Sequence, residues 1–162
     1  MNQPAQAEDA AIRWVTFHMG EETYGINVMQ VQEVLRYTEI APVPGAPDYV
    51  LGIINLRGNV VTVIDTRARF GLPPREVDDA TRIVIIEGDA GGAKGQVVGI
   101  LVDRVSEVMD LPMSAVEPAP NVGNDEGARF IQGVASREGR LLILVDLNKL
   151  LTDGEWNEVG AL

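Results

Sequence analysis

Cysteine is absent from the 162 residues. That excludes a disulfide framework, a thiol nucleophile and a thiolate metal site, and it suits a reducing compartment. Histidine occurs once, as His18 in a strand-like stretch before Gly20. It has no partner at metal-ligand or Ser/His/Asp spacing and reads as an exposed strand-end residue. Aromatic residues make up only 5% of the chain, too few for the stacking platforms of single-strand nucleic-acid binders. Positive charge is scarce as well: 13 basic against 24 acidic residues leave a net charge of -11, which repels phosphate backbones and anionic lipid within a Debye length. Long apolar runs are missing, since stretches such as Val97 to Val102 are far too short to span a bilayer. Residues 1–11 also lack the basic start and apolar core of a leader. The expectation is a cytoplasmic protein with no cofactor, no metal, no nucleic-acid partner and no direct membrane contact.

What remains is rich in short apolar runs. Trp14 to Phe17, Val60 to Ile64, Ile83 to Ile86, Val97 to Val102 and Leu141 to Val145 are each of strand length, with turn-forming or charged residues nearby. With 46% apolar residues and 17 glycines, they predict an all-β fold with short helices. The polar ends read as a disordered N-terminus over 1–11 and a flexible tail over 152–162, leaving a single folded domain over about 12–151.

Laid over itself, the chain repeats. Gly25-Ile26-Asn27-Val28-Met29-Gln30-Val31-Gln32-Glu33-Val34 matches Gly99-Ile100-Leu101-Val102-Asp103-Arg104-Val105-Ser106-Glu107-Val108, with six of ten positions identical. Further on, Tyr49 to Phe70 lies over Phe130 to Leu151, pairing Gly52 with Gly133, Gly58 with Gly139 and Asp65 with Asp146. The copies run over about 12–70 and 82–151, joined by 71–81, where Pro73-Pro74 enforces an extended crossing. A unit of about 60 residues is marginal alone. The copies are therefore expected to pack as two small five-stranded β-barrels around a shared hydrophobic core, each closing its own edges. Whether a strand from one half completes the other stays open.

Asp65 and Asp146 invite comparison with a duplicated aspartic hydrolase, in which two carboxylates share one proton. The Asp-Thr-Gly signature is missing: the chain has Asp65-Thr66-Arg67 and Asp146-Leu147-Asn148. Each aspartate ends an apolar strand before a helix-like stretch, where a carboxylate caps free amides. The segment Gly88 to Gly95 contains Lys94 but lacks the Gly-Lys-Ser/Thr ending of a phosphate loop, and reads as a mobile hairpin loop. Asn27 is placed to cap a short helix that runs into a strand. Val31 and Glu33 divide evenly between core packing and the lip of a groove between the halves. Gly58 and Gly139 fit hairpin turns that need positive φ. Arg57 is different, because the sister turn manages with Glu138. On a rigid hairpin in an acidic protein, this cation suits forked hydrogen bonds to a partner's carboxylates or carbonyls.

Tyr24-Gly25-Ile26 leading to Val31-Gln32-Glu33-Val34, then Gly52-Ile53-Ile54-Asn55-Leu56-Arg57-Gly58 with Val63-Ile64-Asp65, and later Val98 to Val108, resemble the CheW family of bacterial chemotaxis coupling proteins. The likeness covers about 12–151. It implies two five-stranded barrels without catalytic activity, in an adaptor joining the cytoplasmic tip of methyl-accepting chemoreceptors to the regulatory domain of the histidine kinase CheA. Recruitment to membrane-embedded receptor arrays is implied too. By motif match, the resemblance places receptor contacts at Val31, Glu33, Gly52, Arg57, Gly58, Gly99, Val105 and Val108, and kinase contacts at barrel ends. The same scaffold could serve a pathway controlling surface motility or a second messenger.

Overall fold

The computed structural model describes residues 10–118 and 129–162. Ten strands carry the fold: β1 (Ala11–Met19), β2 (Glu22–Asn27), β3 (Val31–Arg36), β4 (Val50–Leu56), β5 (Asn59–Ile64), β6 (Arg82–Glu87), β7 (Val97–Val102), β8 (Arg104–Pro112), β9 (Ile131–Arg137) and β10 (Arg140–Val145). Two short α-helices follow the halves, α1 (Thr66–Arg69) and α2 (Asp153–Gly160). The expected turn of helix after Asn27 is a 3-10 turn over Val28–Gln30, and Asn27 Oδ1 accepts the Met29 amide at 2.9 Å.

The strands form two five-stranded sheets, ordered β8-β1-β2-β10-β9 and β3-β6-β7-β5-β4. Each sheet mixes the copies. The hairpin β1–β2 of the first copy joins β8, β9 and β10 of the second, and β6–β7 of the second joins β3, β4 and β5 of the first. The exchange is reciprocal. Each sheet has one parallel ladder between copies: β2 beside β10, with Gly25 opposite Leu144, and β5 beside β7, with Gly99 opposite Val63. A Cβ at Gly25 would stand 3.1 Å from Leu144 of its host strand, and one at Gly99 would stand 3.4 Å from Val63 of its host strand, besides 3.0 Å from Ile83 of its own hairpin. The repeated glycine thus lets the crossed hairpins settle onto their hosts.

Three cores follow from period-two alternation on strands buried on both faces. On β6, Ile83 and Ile85 point into a cluster with Ile54, Val61 and Val63, while Val84 and Ile86 face the core shared by both sheets. Trp14, Leu111, Ala135, Leu142 and Leu144 fill the matching space in the other sheet. Across the shared core runs an aromatic row, Phe17, Tyr24, Phe70 and Phe130, with neighbouring centroids 4.6 to 5.7 Å apart. The few aromatics are thus concentrated where the copies meet.

The expected barrels are not closed. Each sheet ends in two edge strands, and among the described residues the segment that follows one of them meets the other through a single bridge: Ala41, after β3, with Ile53 of β4, and Glu117, after β8, with Val134 of β9. The bridges are reciprocal pairs of backbone hydrogen bonds at 2.9 and 2.8 Å. Prolines 42, 44 and 47 after β3, and 112 and 118 around the end of β8, lack the amide that a continued ladder requires. Gly52 and Gly133 admit the crossing segments: a Cβ on Gly133 would lie 2.8 Å from the Glu117 carbonyl oxygen, and one on Gly52 would overlap the Ala41 carbonyl.

Two further expectations are corrected. Residues 153–160 are not a loose tail but helix α2, opened by a capping box between Thr152 and Glu155. Trp156 is fully buried, and its indole donates to the Asn148 carbonyl at 2.9 Å. The glycine-rich segment is docked against the same region: Asp89 and Asn148 exchange hydrogen bonds at 2.8 and 2.5 Å, and Ala93 is buried. The expected disordered stretch lies mostly in residues 1–9, outside the described residues, and Ala11 already belongs to β1.

Candidate functional site

The β4–β5 turn is built by sequence. Asn55 Oδ1 accepts the Gly58 amide at 2.9 Å, and both central residues take positive φ, Arg57 at 52° and Gly58 at 90°. This is the primed geometry that matches strand twist. The second copy does the same, with Glu138 at 54° and Gly139 at 79°. The backbone therefore treats Arg57 and Glu138 alike.

Their side chains differ. β3 and β4 are opposite edges of one open sheet, and Arg57 reaches from the hairpin tip to Glu33 on β3. Nη1 donates to Oε1 at 3.1 Å, and Nη2 pairs with Oε2. Hydrogen bonding and charge from Arg57 hold the Glu33 carboxyl below its ordinary range, and Glu33 in turn raises the guanidinium. The Arg57 side chain remains 69% exposed. A solvated pair of this kind contributes little to folding. What it fixes is direction: a forked cation held over the seam of the sheet.

In the other sheet the matching residues are Glu138 and Glu107, both acidic and both exposed. No ion pair spans that seam among the described residues.

The other candidate positions separate by burial. Val31 at the start of β3 and its mate Val105 on β8 are half-buried, and both pack on the shared core. Val108 is 54% exposed on edge strand β8. Gly58 is exposed, whereas Gly52 and Gly99 are buried. These two glycines serve backbone packing beneath the surface. The structure thus gathers Val31, Glu33, Arg57 and Gly58 on the β3 and β4–β5 side, and sets Val105 and Val108 on the equivalent edge strand of the other sheet. Two exposed apolar side chains were not among the candidates: Val34, the mate of Val108, at 41% exposure, and Met29 at 84%. The repeat itself would have pointed to Val34; Met29 carries no such signal.

Asp65 and Asp146 are caps. Asp65 Oδ1 accepts the Ala68 amide at 3.1 Å, and Asp146 Oδ1 accepts the Asn148 amide at 3.0 Å. Their own amides donate to the mate carbonyls of Tyr49 and Phe130, each at 2.8 Å. This equivalence identifies them as parts of the duplicated scaffold. His18 is half-buried in β1 rather than exposed, with Nδ1 3.4 Å from the Thr23 hydroxyl.

Comparison with known proteins agrees with this geometry. Residues 13–155 match the CheW-like domain. The chain is 36% identical to the chemotaxis protein CheW of Rhizobium meliloti (strain 1021), over 87% of this chain and 88% of that protein. It is 33% identical to that of Klebsiella aerogenes, over 91% and 86%. Among solved structures, the scaffolding protein TtCheW from Thermoanaerobacter tengcongensis superposes with a TM-score of 0.77 at 35% identity, covering 86% of this chain and 92% of that one.

Proposed function

The chain belongs to the CheW-like domain family, and on that footing we propose that it is a non-catalytic adaptor, acting through one domain that runs from β1 through helix α2. It joins the cytoplasmic tip of methyl-accepting chemoreceptors to the regulatory domain of the histidine kinase CheA and helps build receptor arrays. It works from the cytoplasm; no helix among the described residues is long and apolar enough to cross a membrane.

The observation that carries the reading is the forked Arg57–Glu33 pair over the seam of one sheet. An exposed guanidinium oriented by a carboxylate, beside the half-buried Val31, offers a charge clamp next to an apolar edge. That combination suits one face of an amphipathic helical hairpin. The sister seam shares the backbone and lacks the clamp, so the two sides of the molecule are fitted to different partners.

The experiment is co-sedimentation of the chain with receptor tips and CheA, comparing wild type with Arg57→Glu. The variant is expected to fold, because Glu138 already occupies the same backbone conformation, and to lose assembly and kinase control. Unchanged assembly and control would remove Arg57 from the receptor contact.

A further inference from the structure

The second seam, where Glu138 and Glu107 replace the clamp, opens a cleft of about 410 Å³ between β8 and the β9–β10 hairpin. Arg104, Arg137 and Arg140 line it together with Glu107, Glu138 and Leu141. All three arginines are exposed. None makes an ion pair or a side-chain hydrogen bond among the described residues.

This is unexpected in a chain with 24 acidic residues and a net charge of -11. Arg13, Arg57, Arg67, Arg69, Arg75 and Arg129 each find a carboxylate, and Arg82 donates to backbone carbonyls. Apart from Arg36, the arginines left over all converge on this cleft. Their field is felt within it: besides burial, Arg104 and Arg140 are what lower the basicity of His18.

We propose that this cleft docks a short acidic segment of a partner protein. Its carboxylates are received by the forks of Arg104, Arg137 and Arg140, which bind carboxylate in bidentate geometry. An apolar side chain of the segment lies on Leu141, which is 51% exposed. Glu107 and Glu138 in the same lining select against a polyphosphate or nucleic-acid chain, whose unbroken charge would meet them, whereas spaced carboxylates can be accommodated between them. The site is separate from the Arg57 clamp and stands or falls independently of it.

Fluorescence anisotropy of the full chain with labelled short peptides alternating Asp and Leu tests this directly. Peptides with Asn in place of Asp, and inorganic polyphosphate as a competitor, serve as controls. The Asp peptide is expected to bind, to weaken with added salt, and to lose about tenfold in affinity for each of Arg104→Gln, Arg137→Gln and Arg140→Gln. Arg57→Glu is expected to bind it like wild type. The exposed positions predict intact near-UV circular dichroism for all variants; if a triple variant were to unfold, the single substitutions decide. Four results would overturn the proposal: no binding at low salt, equal binding of the Asn peptide, undiminished binding by the arginine variants, or tighter binding of polyphosphate. Self-association abolished by the same substitutions would reassign the cleft to a second copy of the chain.

Discussion

The first hairpin and its sister share length, turn glycine and backbone dihedrals, yet one holds a cation against a carboxylate across its seam and the other sets two glutamates there. Duplication preserved what the backbone needs. The difference shows what the backbone does not need, and the two seams are thereby free to meet different partners. Substitutions at mate positions separate those two kinds of residue.

The largest contrast is expected between Asp103 and its mate Met29. Asp103 is buried at the β7–β8 turn, where it accepts the Gly20 amide at 2.8 Å and pairs with Arg67 at 2.5 Å and Arg75 at 3.1 Å. Asp103→Asn leaves Arg67 half-buried without its counter-ion and should lower unfolding free energy by about 4 kcal/mol, measured by urea denaturation. Met29→Ala, at a side chain 84% exposed, should leave the denaturation curve where it was.

Asp103 also predicts the pH profile. Burial raises its pKa, but the Gly20 amide and the Arg67 and Arg75 guanidiniums outweigh it and leave the carboxyl below its ordinary range. A depressed folded-state pKa contributes stability above the unfolded value that is lost as pH falls through the folded one. Denaturation midpoints should therefore drop below about pH 4 in wild type, and the drop should be shallower in Asp103→Asn.

Next in size are the edge glycines. Gly52→Ala drives a Cβ into the Ala41 carbonyl, more tightly than Gly133→Ala meets Glu117 at 2.8 Å. About 3 kcal/mol is expected for the first and about 1 kcal/mol for the second, read from the same titrations. Equal costs would show that the two closures are alike in tightness.

Smallest for stability is the clamp. Arg57→Glu and Glu138→Arg should each leave the melting temperature nearly unchanged, since both residues are exposed at equivalent turns. Exchanging the charges of the pair, Glu33→Arg with Arg57→Glu, restores an ion pair while inverting what the hairpin presents. Receptor binding should stay lost in that double variant; recovery would mean that the pair matters only for holding the seam.

Much of this architecture was legible because it is local. Apolar runs gave the strands, Asn27, Asp65 and Asp146 gave the caps, and Gly58 and Gly139 marked the turns. Strand exchange was not legible, since a hairpin such as Trp14 to Ile26 has the same pattern whichever copy it joins. Its partner is set by long-range packing, through contacts such as Gly25 against Leu144. Helix α2 had a readable start in Thr152-x-x-Glu155, but its short polar run hid the two anchors, Trp156 and Val159. Arg57 stood out only through disagreement with Glu138, and nothing in the order of residues announced that Glu33, 24 positions earlier, would hold it. The arginines of the second cleft come from β8, β9 and β10 and converge only in the fold.

The central claim is that the copies share a scaffold and differ in what they recognise. Its most direct measurement is the affinity of a receptor-tip fragment for the chain with the hairpin charges exchanged, Arg57→Glu together with Glu138→Arg. The account predicts a folded protein of unaltered melting temperature with receptor binding abolished. Receptor binding retained at wild-type affinity would contradict it.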